Sequence, residues 1–273
     1  KRAISGSLDG TVKIWNLETG NSLFTLSDRS PWVRSLAVTP DGEKLVSTAS
    51  GNNIQIWNLR TGEQLRTMSI HQESVWAVAV TPDSKKIVSG SWDKTLKVSD
   101  LETGKEIFTL THGEIVETVA VTPDSKRAIS GSWDSTIKVW NLEDGEELFT
   151  LNGHTGQIKD LAITPDSKRL ISGSSDHTIK VWSLEMGKEL LTLTGHTDWI
   201  TSVVATRDGN RLITTSFDCT VKVWDLRSCE LLAGFRGDSW LKCCAVTPDG
   251  VTIVAGEVSG RLHFLRLEGV KDE

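Results

Sequence analysis

The chain is built from an internal repeat. A short apolar segment with a polar end recurs as KIWNL, QIWNL, KVSDL, KVWNL, KVWSL, KVWDL and FLRL. Its Trp, or the residue that replaces Trp, falls at positions 15, 57, 99, 140, 182, 224 and 265, so successive copies stand 42, 42, 41, 42, 42 and 41 residues apart. A sustained period of this length is typical of architectures that stack one supersecondary unit many times. We therefore expect one domain over residues 1–273, built from seven repeats.

Each repeat has the pattern of four short strands. In one copy these are IKDLAIT, RLISGS, TIKVWSL and ELLTL, which alternate apolar with polar residues and are rich in β-branched side chains. The connectors, such as TPDG, DST and ETG, carry the Pro, Asp and Gly residues that favour turns. Four-stranded meanders that repeat at this period close radially, which predicts an all-β fold, a seven-bladed β-propeller of four-stranded antiparallel blades.

The chain begins within a second strand and ends after a third, so the terminal blades are each expected to lack a strand within this chain. It has no initiator Met, and we expect it to be a fragment or domain of a larger protein. An upstream segment of roughly 20–25 residues would supply the two missing strands and their loops.

Composition excludes several classes of function. The formal net charge is −6 and Lys and Arg form no basic run, which argues against a nucleic-acid partner. No apolar stretch approaches the roughly 18–20 residues that span a bilayer, so no membrane partner is expected. Four cysteines, Cys219, Cys229, Cys243 and Cys244, have no CxxC or zinc spacing. They indicate reduced thiols and a cytoplasmic location, and no metal or cofactor is expected.

Ser, His and Asp recur together in a way that could suggest a catalytic triad. With the marker Trp they form three complete sets: His112, Ser130, Asp134 and Trp140; His154, Ser172, Asp176 and Trp182; and His196, Thr214, Asp218 and Trp224. A catalytic site needs one exposed nucleophile beside an oxyanion hole, whereas three copies at the repeat period indicate a structural role. The chain is therefore not expected to be an enzyme.

The segments SGSWDSTIKVWNL, SGSSDHTIKVWSL and TGHTDWI resemble WD repeats, and the resemblance covers essentially the whole chain. It implies that each recurrent set is a buried hydrogen-bond network that links the turn Asp, the His, the Ser or Thr hydroxyl and the Trp N–H. The longer run VTPDSKRAISGSWDSTIKVWNLEDGEELFTLNGHTGQI is similar to propellers of bacterial multidomain signalling proteins, which include nucleotide-switch ATPases and Ser/Thr kinases.

Three repeats depart from this pattern. The third keeps His71, Ser89 and Asp93 but has Ser99 in place of the Trp. The second has Gly51 in place of the Asp and Arg29 in place of the His. The seventh is expected to retain none of the network, since the corresponding residues are Gly237, Ala255, Ser259 and Leu265.

Six of the eleven Trp residues are not repeat markers. Each precedes the turn Asp or lies at one of two positions near the start of the first strand. A meander sends the loop before its first strand and the turn after its second strand to the same face, so these positions are expected to form one rim. The predicted partner-binding rim consists of Trp32, Arg34, Trp76, Trp92, Glu117, Trp133, Lys159, Trp199, Phe217, Trp240 and Lys242.

Two interpretations of these Trp residues remain open. They either bind a partner, since Trp is enriched at binding hot spots, or pack as lids over neighbouring blades. The first predicts a non-enzymatic interaction or sensor scaffold, the regulatory propeller of a larger bacterial protein in signal transduction. Its partner would be a protein or peptide, or a catalytic domain attached in the same polypeptide. The alternative is a small-ligand or glycan-binding module that uses the same rim.

Overall fold

The computed structural model describes residues 2–27, 32–48 and 51–267. In these ranges the regular elements are 26 strands, arranged as seven antiparallel sheets, and the all-β propeller predicted from the repeat is confirmed. Five sheets have four strands, whereas the first and the last have three, as expected for the terminal blades. The described residues contain no helix that is long and apolar enough to cross a membrane.

The chain divides into two compact units. The first consists of residues up to Ser130 together with Trp140–Leu148, and the second consists of Gly131–Val139 together with the residues from Phe149 onwards. The prediction of one domain over residues 1–273 therefore stays a prediction.

The first three sheets belong to the first unit. Their strands are β1 (Arg2–Gly6), β2 (Thr11–Asn16), β3 (Ser22–Ser27), β4 (Leu36–Val38), β5 (Lys44–Thr48), β6 (Asn53–Asn58), β7 (Gln64–Ser69), β8 (Val75–Val80), β9 (Lys86–Ser91), β10 (Thr95–Asp100) and β11 (Glu106–Thr111). The fourth sheet consists of β12 (Val116–Val121), β13 (Arg127–Ser132), β14 (Ile137–Asn141) and β15 (Glu147–Leu151).

The last three sheets belong to the second unit. Their strands are β16 (Ile158–Ile163), β17 (Arg169–Ser174), β18 (Ile179–Ser183), β19 (Lys188–Leu193), β20 (Ile200–Ala205), β21 (Arg211–Ser216), β22 (Thr220–Asp225), β23 (Leu231–Arg236), β24 (Leu241–Val246), β25 (Thr252–Glu257) and β26 (Leu262–Arg266). In every sheet the strands follow one another in chain order, so each is a simple meander.

The Thr-Pro-Asp turns show why the sequence changes direction after each first strand. In the turn between β16 and β17, the Thr164 hydroxyl donates to Asp166 Oδ1 at 2.6 Å, and the Arg169 N–H donates to Thr164 Oγ1 at 3.0 Å. Ser167 follows with a φ of 58°, a conformation that suits the Gly found at the same place in other repeats. These bonds satisfy the turn locally and fix the register of the two strands.

A β-bulge lies near the start of several first strands. The pairing register shifts between Ile158 and Asp160 in β16, and it shifts at the equivalent places in β8, β20 and β24. A bulge leaves one residue unpaired and changes the direction of its side chain. The bulged residues include Trp76, Lys159 and Lys242, which belong to the predicted rim.

The apolar core lies between successive sheets. Trp57 of the second sheet packs in one cluster with Val12 and Ile14 of the first. Trp224 of the sixth sheet packs in the same way against Ile179 and Val181 of the fifth. A single sheet of this kind has two faces to cover, so each blade depends on its neighbours for stability.

Two of these clusters lack a marker Trp and contain a substitute. The cluster beside Ser99 contains Met68, and the cluster with Leu265 contains Phe235. The equivalent residue on the fourth strand is Leu where a Trp is present, as in Leu26 with Trp57. A flexible Met or a larger Phe therefore occupies part of the volume that the missing indole would fill.

This compensation predicts a coupling between two substitutions. Ser99→Trp alone should destabilise the protein by about 1–3 kcal/mol, because the added indole would overpack a cluster whose space Met68 already occupies. Met68→Leu alone should cost less than about 1.5 kcal/mol. The loss of unfolding free energy in the double variant should be smaller than the sum of the two single losses by at least about 1 kcal/mol, as measured by urea unfolding. Additivity within about 0.5 kcal/mol would contradict the packing argument.

Candidate functional site

The recurrent polar set of the fifth sheet is a continuous hydrogen-bond chain. Trp182 Nε1 donates to Ser172 Oγ at 2.8 Å, and Ser172 Oγ lies 2.7 Å from His154 Nε2. His154 Nδ1 lies 2.7 Å from Asp176 Oδ2, which also accepts the Thr155 N–H at 3.0 Å. The ionised Asp176 carboxylate can only accept, so His154 donates from Nδ1. In a neutral ring Nε2 then accepts the Ser172 hydroxyl, which itself accepts the indole N–H. All four side chains are thereby connected in one direction.

The other two complete sets have closely similar geometry. In the sixth sheet Trp224 Nε1 donates to Thr214 Oγ1 at 2.9 Å, and His196 lies 2.8 Å from Thr214 Oγ1 and 2.7 Å from Asp218 Oδ2. In the fourth sheet Trp140 Nε1 donates to Ser130 Oγ at 2.9 Å, and His112 Nε2 lies 2.7 Å from the same oxygen. The Asp134 carboxylate accepts the Thr136 hydroxyl at 2.6 Å.

Burial and hydrogen bonding set the charge state of these groups. Burial alone would raise the pKa of Asp176, but hydrogen bonds from His154 and Thr178 hold it well below its ordinary value. Burial lowers the pKa of His196 despite the opposing effect of Asp218. The chain in the sixth sheet is therefore a neutral imidazole beside an ionised carboxylate. The Ser172 and Thr214 hydroxyls are buried, so the arrangement presents no nucleophile to a substrate.

The third sheet keeps only part of this chain. His71 lies 2.8 Å from both Asp93 Oδ2 and Ser89 Oγ, but the position of the Trp is occupied by Ser99. Among the described residues, Ser99 Oγ is the one buried side-chain polar atom with no hydrogen-bond partner. The substitution therefore removes the indole donor and leaves a hydroxyl that burial penalises.

The first two sheets retain the Trp and Ser pair, and the first also keeps Asp9, whose Oδ1 accepts the Thr11 N–H at 2.8 Å and the Thr11 hydroxyl at 2.7 Å. Trp15 Nε1 donates to Ser5 Oγ at 2.8 Å, and Trp57 Nε1 donates to Ser47 Oγ at the same distance. Gly51 stands where the second repeat would have its Asp, and Arg29 lies outside the described residues.

The seventh sheet contains a different buried pair that the sequence analysis missed. His263 Nε2 lies 2.8 Å from Glu257 Oε1, which also accepts the Asp238 N–H at 2.9 Å. Hydrogen bonds from Ser259 and His263 lower the pKa of Glu257 to about 2. A Cβ on Gly237 would stand 2.6 Å from Glu257 Oε1, so the carboxylate would have to shift if this repeat had a larger residue in place of Gly. The visible signal was a Glu and a His at strand positions that hold Ser and Lys in five of the six other repeats.

In the first unit, the predicted rim residues Trp32, Arg34, Trp76 and Trp92 form one group, which we call the Arg34 cluster. The Arg34 guanidinium carbon lies 4.1 Å from the centre of the Trp76 ring and 5.7 Å from that of Trp32. Trp76 and Trp92 have ring centres 5.2 Å apart. Partial burial lowers the pKa of Arg34, and the negative charge of Glu117 opposes that effect.

In the second unit, Trp133, Lys159, Trp199, Phe217, Trp240 and Lys242 form a second group, the Lys159 cluster. Lys159 Nζ lies 5.3 Å from the ring centre of Trp133 and 5.1 Å from that of Trp199. Trp199 stacks on Phe217 with centres 5.8 Å apart, and Phe217 stacks on Trp240 at 5.0 Å. Lys242 Nζ lies 5.6 Å from the Phe217 ring centre.

Backbone hydrogen bonds explain why residues distant in sequence meet in these clusters. The Phe217 N–H donates to the Trp199 carbonyl at 3.0 Å, and the Val258 N–H donates to that of Trp240 at 2.9 Å. The residue before the turn and the residue at the start of the first strand are thereby held side by side. The bulge at Lys159 places a third side chain at the same end of the strand.

Four Trp side chains of the two clusters are exposed. The exposed fraction is 53% for Trp32, 41% for Trp92, 40% for Trp199 and 53% for Trp240, whereas Trp76 and Trp133 are half-buried. Whether the exposed rings bind a partner stays a prediction.

Other candidate chemistry is sparse in the described ranges. They contain no group of three or more His, Cys, Asp or Glu side chains that could hold a metal ion. The four cysteines are free thiols, and burial raises the pKa of Cys244. A raised pKa leaves the thiol in its less nucleophilic form.

The comparison with known families agrees with the repeat. The family described as "WD domain, G-beta repeat" matches residues 1–16, 20–58, 62–100, 104–141, 145–183 and 187–225. These segments cover well over half of the chain, and the chain belongs to this family. The seventh sheet lies beyond the matched segments, which is consistent with its loss of the Asp, His and Trp of the other repeats.

Similarity to curated proteins is confined to about one repeat. The chain is 53% identical over 45 residues to the Lissencephaly-1 homolog of Caenorhabditis briggsae, which covers 16% of this chain and 12% of that protein. It is 44% identical over 43 residues to the nuclear distribution protein PAC1 of Mycosarcoma maydis, which covers 16% of this chain and 10% of that protein. The matches thus span about a tenth of each relative.

The effect on stability of removing the unpaired Ser99 hydroxyl can be compared with the effect of removing a hydrogen-bonded one. Ser99→Ala should leave stability unchanged or raise it by up to about 1 kcal/mol, because it removes a buried polar atom without a partner. Ser130→Ala should cost about 1–3 kcal/mol, because it removes the group that bridges Trp140 and His112. Both values come from denaturant unfolding. A loss above about 1 kcal/mol for Ser99→Ala would show that its hydroxyl is satisfied in solution.

The buried pairs also predict a direction for the dependence of stability on pH. The pKa values of Asp93, Asp176, Asp218 and His196 are all lowered in the folded state. Their contributions are complete at neutral pH and are lost on acidification, starting below about 6.5 for His196 and below about 3.9 for the carboxylates. The melting temperature, measured from pH 8 to pH 3, should therefore fall throughout the acid range. A rise between pH 7 and pH 5 would contradict the neutral state of His196.

Proposed function

We propose that this chain is a non-enzymatic interaction scaffold that binds a protein or peptide partner through the Arg34 and Lys159 clusters. WD-repeat propellers serve as protein-interaction scaffolds, and the family assignment supports the general class. The observation that carries the specific site is the exposure of Trp32, Trp92, Trp199 and Trp240. Of these, Trp32 and Trp199 lie beside cationic groups.

Exposed indoles are an uncommon use of Trp. Each buries a large apolar area when covered, so Trp residues contribute strongly to binding where they occur at interfaces. The repeat itself accounts for the marker Trp residues, of which Trp57, Trp140, Trp182 and Trp224 are buried. It does not account for the exposed ones, since equivalent positions in other repeats also hold Ser, Ile, Gln, Leu, Phe or Val. This difference supports binding rather than packing as their role.

A small cation is a poorer fit than a protein partner. A site for such a ligand would offer free aromatic faces, but Arg34 and Lys159 already lie over rings of their own clusters. The clusters instead combine apolar surface with donors of positive charge, which suits a polypeptide that has both apolar and polar side chains.

The wider context is a proposal of the same kind. The repeat sequence resembles propellers of bacterial signalling proteins, which supports a role as the regulatory propeller of a larger bacterial signalling protein. In that role the clusters would hold a partner or an attached catalytic domain. The free thiols support a cytoplasmic location. The two relatives described above come from a nematode and a fungus and match only about one repeat, so they do not decide this context.

Selection from a random peptide display library can test the binding site. Peptides enriched on the wild-type chain should bind at least about 30-fold more weakly to the variant Trp32→Ala, Trp199→Ala, Trp240→Ala, because Trp truncation at a hot spot costs 2 kcal/mol or more. The matched control is Leu23→Ala, Leu190→Ala, Leu232→Ala, whose side chains are similarly exposed on fourth strands. The control should bind as the wild type does.

Thermal melting separates binding from packing. If the Trp residues form a binding surface, the Trp variant should melt within a few degrees of the wild type. Equal peptide binding by the Trp variant and the wild type would overturn the proposed site. A collapse of the melting temperature would show that the Trp residues are lids over the core.

A further inference from the structure

We propose that the free edge of β23 in the sixth sheet is a further interaction surface, where an extended segment of a partner adds a strand that alternates acidic with apolar residues. This surface, which we call the β23 edge, consists of Leu231–Arg236 together with Lys222 of the neighbouring strand. It contains none of the residues of the Arg34 and Lys159 clusters. Three departures of this sheet from the repeat carry the proposal: a lysine that has lost its usual partners, a second cation beside it and an exposed apolar edge.

In other sheets a lysine of the third strand is paired with side chains of the fourth strand. In the fifth sheet Lys180 Nζ donates to Glu189 Oε2 at 2.9 Å and to Thr192 Oγ1 at 2.8 Å. In the third sheet Lys97 Nζ donates to Glu106 Oε2 at 2.6 Å. The charge of the lysine is thus balanced within each of these sheets.

The sixth sheet keeps the lysine but has lost both partners. The pairing register places Leu231 and Gly234 of β23 where the fifth sheet has Glu189 and Thr192. Lys222 is half-buried, and within the described residues it forms neither an ion pair nor a side-chain hydrogen bond. A charge that is partly withdrawn from water without a counterion is costly, so a carboxylate supplied from outside would be stabilised there.

A second cation lies on the same face of the sheet. Arg236 pairs with Thr220, two residues along from the pairing of Gly234 with Lys222, and side chains two residues apart on a strand share a face. Arg236 is exposed and likewise forms no ion pair in the part of the chain that the structure describes. In the third sheet the equivalent residue is Thr111. The β23 edge therefore presents two positive charges at positions where the third sheet presents one balanced ion pair.

The edge of β23 is also apolar and open. Among the described residues, β22 is the one strand that pairs with β23. Leu231 is 49% exposed and Leu232 is 52% exposed, and Ala233 and Gly234 are exposed as well. Edge strands present unpaired backbone N–H and C=O groups, and proteins commonly protect them with charged residues or Pro. β23 has no charge before Arg236, so its edge is suited to strand addition.

Gly234 gives an added strand access to Lys222. Apart from its chain neighbours, a Cβ on Gly234 would have only the Val221 carbonyl oxygen within 4 Å, at 3.7 Å. A strand paired with β23 would lie about 9–10 Å from β22, which is two strand spacings. A Glu opposite Gly234 can meet Lys222 across that distance, because no side chain stands between them. An acidic residue two positions along would meet Arg236, and the residue between the two acids would point to the other face, beside Ala233.

Charge argues against a second copy of this chain as the occupant. β23 contains no acidic residue, so a second β23 strand could not pair with Lys222 or Arg236. An antiparallel pair of β23 strands would instead bring the cations of both copies to one junction, and like charges across strands are destabilising. A partner segment that carries carboxylates is complementary to this edge.

Short labelled peptides of equal length, with capped ends, test the proposal by fluorescence anisotropy. In the acidic peptide Val alternates with Glu, and in the neutral peptide Gln replaces each Glu. The acidic peptide should bind the wild-type chain more tightly than the neutral one. Methylation of its backbone N–H groups should abolish binding, because an added strand must donate these groups to the edge. Equal binding of the acidic and neutral peptides would overturn the acidic preference, and equal binding of the methylated peptide would overturn strand addition.

Substitutions locate the effect. Lys222→Gln should weaken binding of the acidic peptide by about three- to fivefold. Lys180→Gln, at the equivalent position of the fifth sheet, is the matched control and should leave the affinity unchanged. If the two variants bind alike, the site is not at Lys222.

The double variant Leu231→Glu, Gly234→Thr restores the residues of the fifth sheet. Its new Glu should pair with Lys222 and repel an acidic strand, so binding of the acidic peptide should fall at least about tenfold. Its melting temperature should stay within a few degrees of the wild type or above it, which separates lost binding from unfolding. Unchanged peptide binding by this variant would contradict the proposal.

Two further measurements distinguish other occupants and other sites. The variant Trp32→Ala, Trp199→Ala, Trp240→Ala should bind the acidic peptide as the wild type does, whatever its effect on the display-selected peptides. Loss of binding in that variant together with normal binding by Lys222→Gln would assign the peptide to the aromatic clusters and overturn this site. A dimer of the wild-type chain in analytical ultracentrifugation that is abolished by Leu231→Glu, Gly234→Thr would overturn the proposal by showing that a second copy covers the edge.

Discussion

The hydrogen bond between the His imidazole and the turn Asp is the interaction on which the rest of each complete blade depends. In the fifth sheet Asp176 Oδ2 accepts from both His154 Nδ1 and the Thr155 N–H, so one carboxylate joins the turn after β17 to the loop before β16. These two segments contain the residues that form the clusters at the ends of the strands. The buried network is therefore the support on which the exposed aromatic rows are built. Its members have no solvent-facing chemistry of their own, because each donor and acceptor is used within the chain.

The seventh sheet shows that the physical requirement is the joining of the two segments and not the particular residues. Glu257 lies on the second strand and His263 on the third, yet Glu257 Oε1 accepts the Asp238 N–H much as Asp176 accepts that of Thr155. The usual His is replaced by Gly237, so no side chain at this position displaces the Glu257 carboxylate. Where a marker Trp is lost, a neighbouring side chain fills part of its volume, since Met68 and Phe235 are more flexible or larger than the Leu found beside an intact indole. Substitutions that depart from the repeat thus occur together. One set preserves a hydrogen-bonded link between two segments, and the others preserve the packed volume of the core.

Much of the fold was predictable from the sequence because the period is strong. The seven sheets, their antiparallel order and the short terminal blades all follow from markers spaced by 41 or 42 residues. The proximity of Trp199 and Phe217 also followed from the meander, since both positions fall at the same end of a blade. The Glu257 and His263 pair could not be predicted by matching repeats, because its members stand at positions where other repeats hold neither group. The placement of Lys159 over two rings was also hidden, since a bulge changes the direction of a side chain without any change in sequence periodicity.

The buried hydrogen-bond networks and the two aromatic clusters of this protein stabilise charges of opposite sign. In the sixth sheet the ionised carboxylate of Asp218 is stabilised by hydrogen bonds from His196 and Thr220 inside the blade. At the clusters, the cations of Arg34 and Lys159 lie against aromatic quadrupoles, which attract a cation but do not cancel its charge. The network thus holds its carboxylates inside the blade by hydrogen bonds, whereas the clusters hold Arg34 and Lys159 against aromatic rings at the ends of the strands.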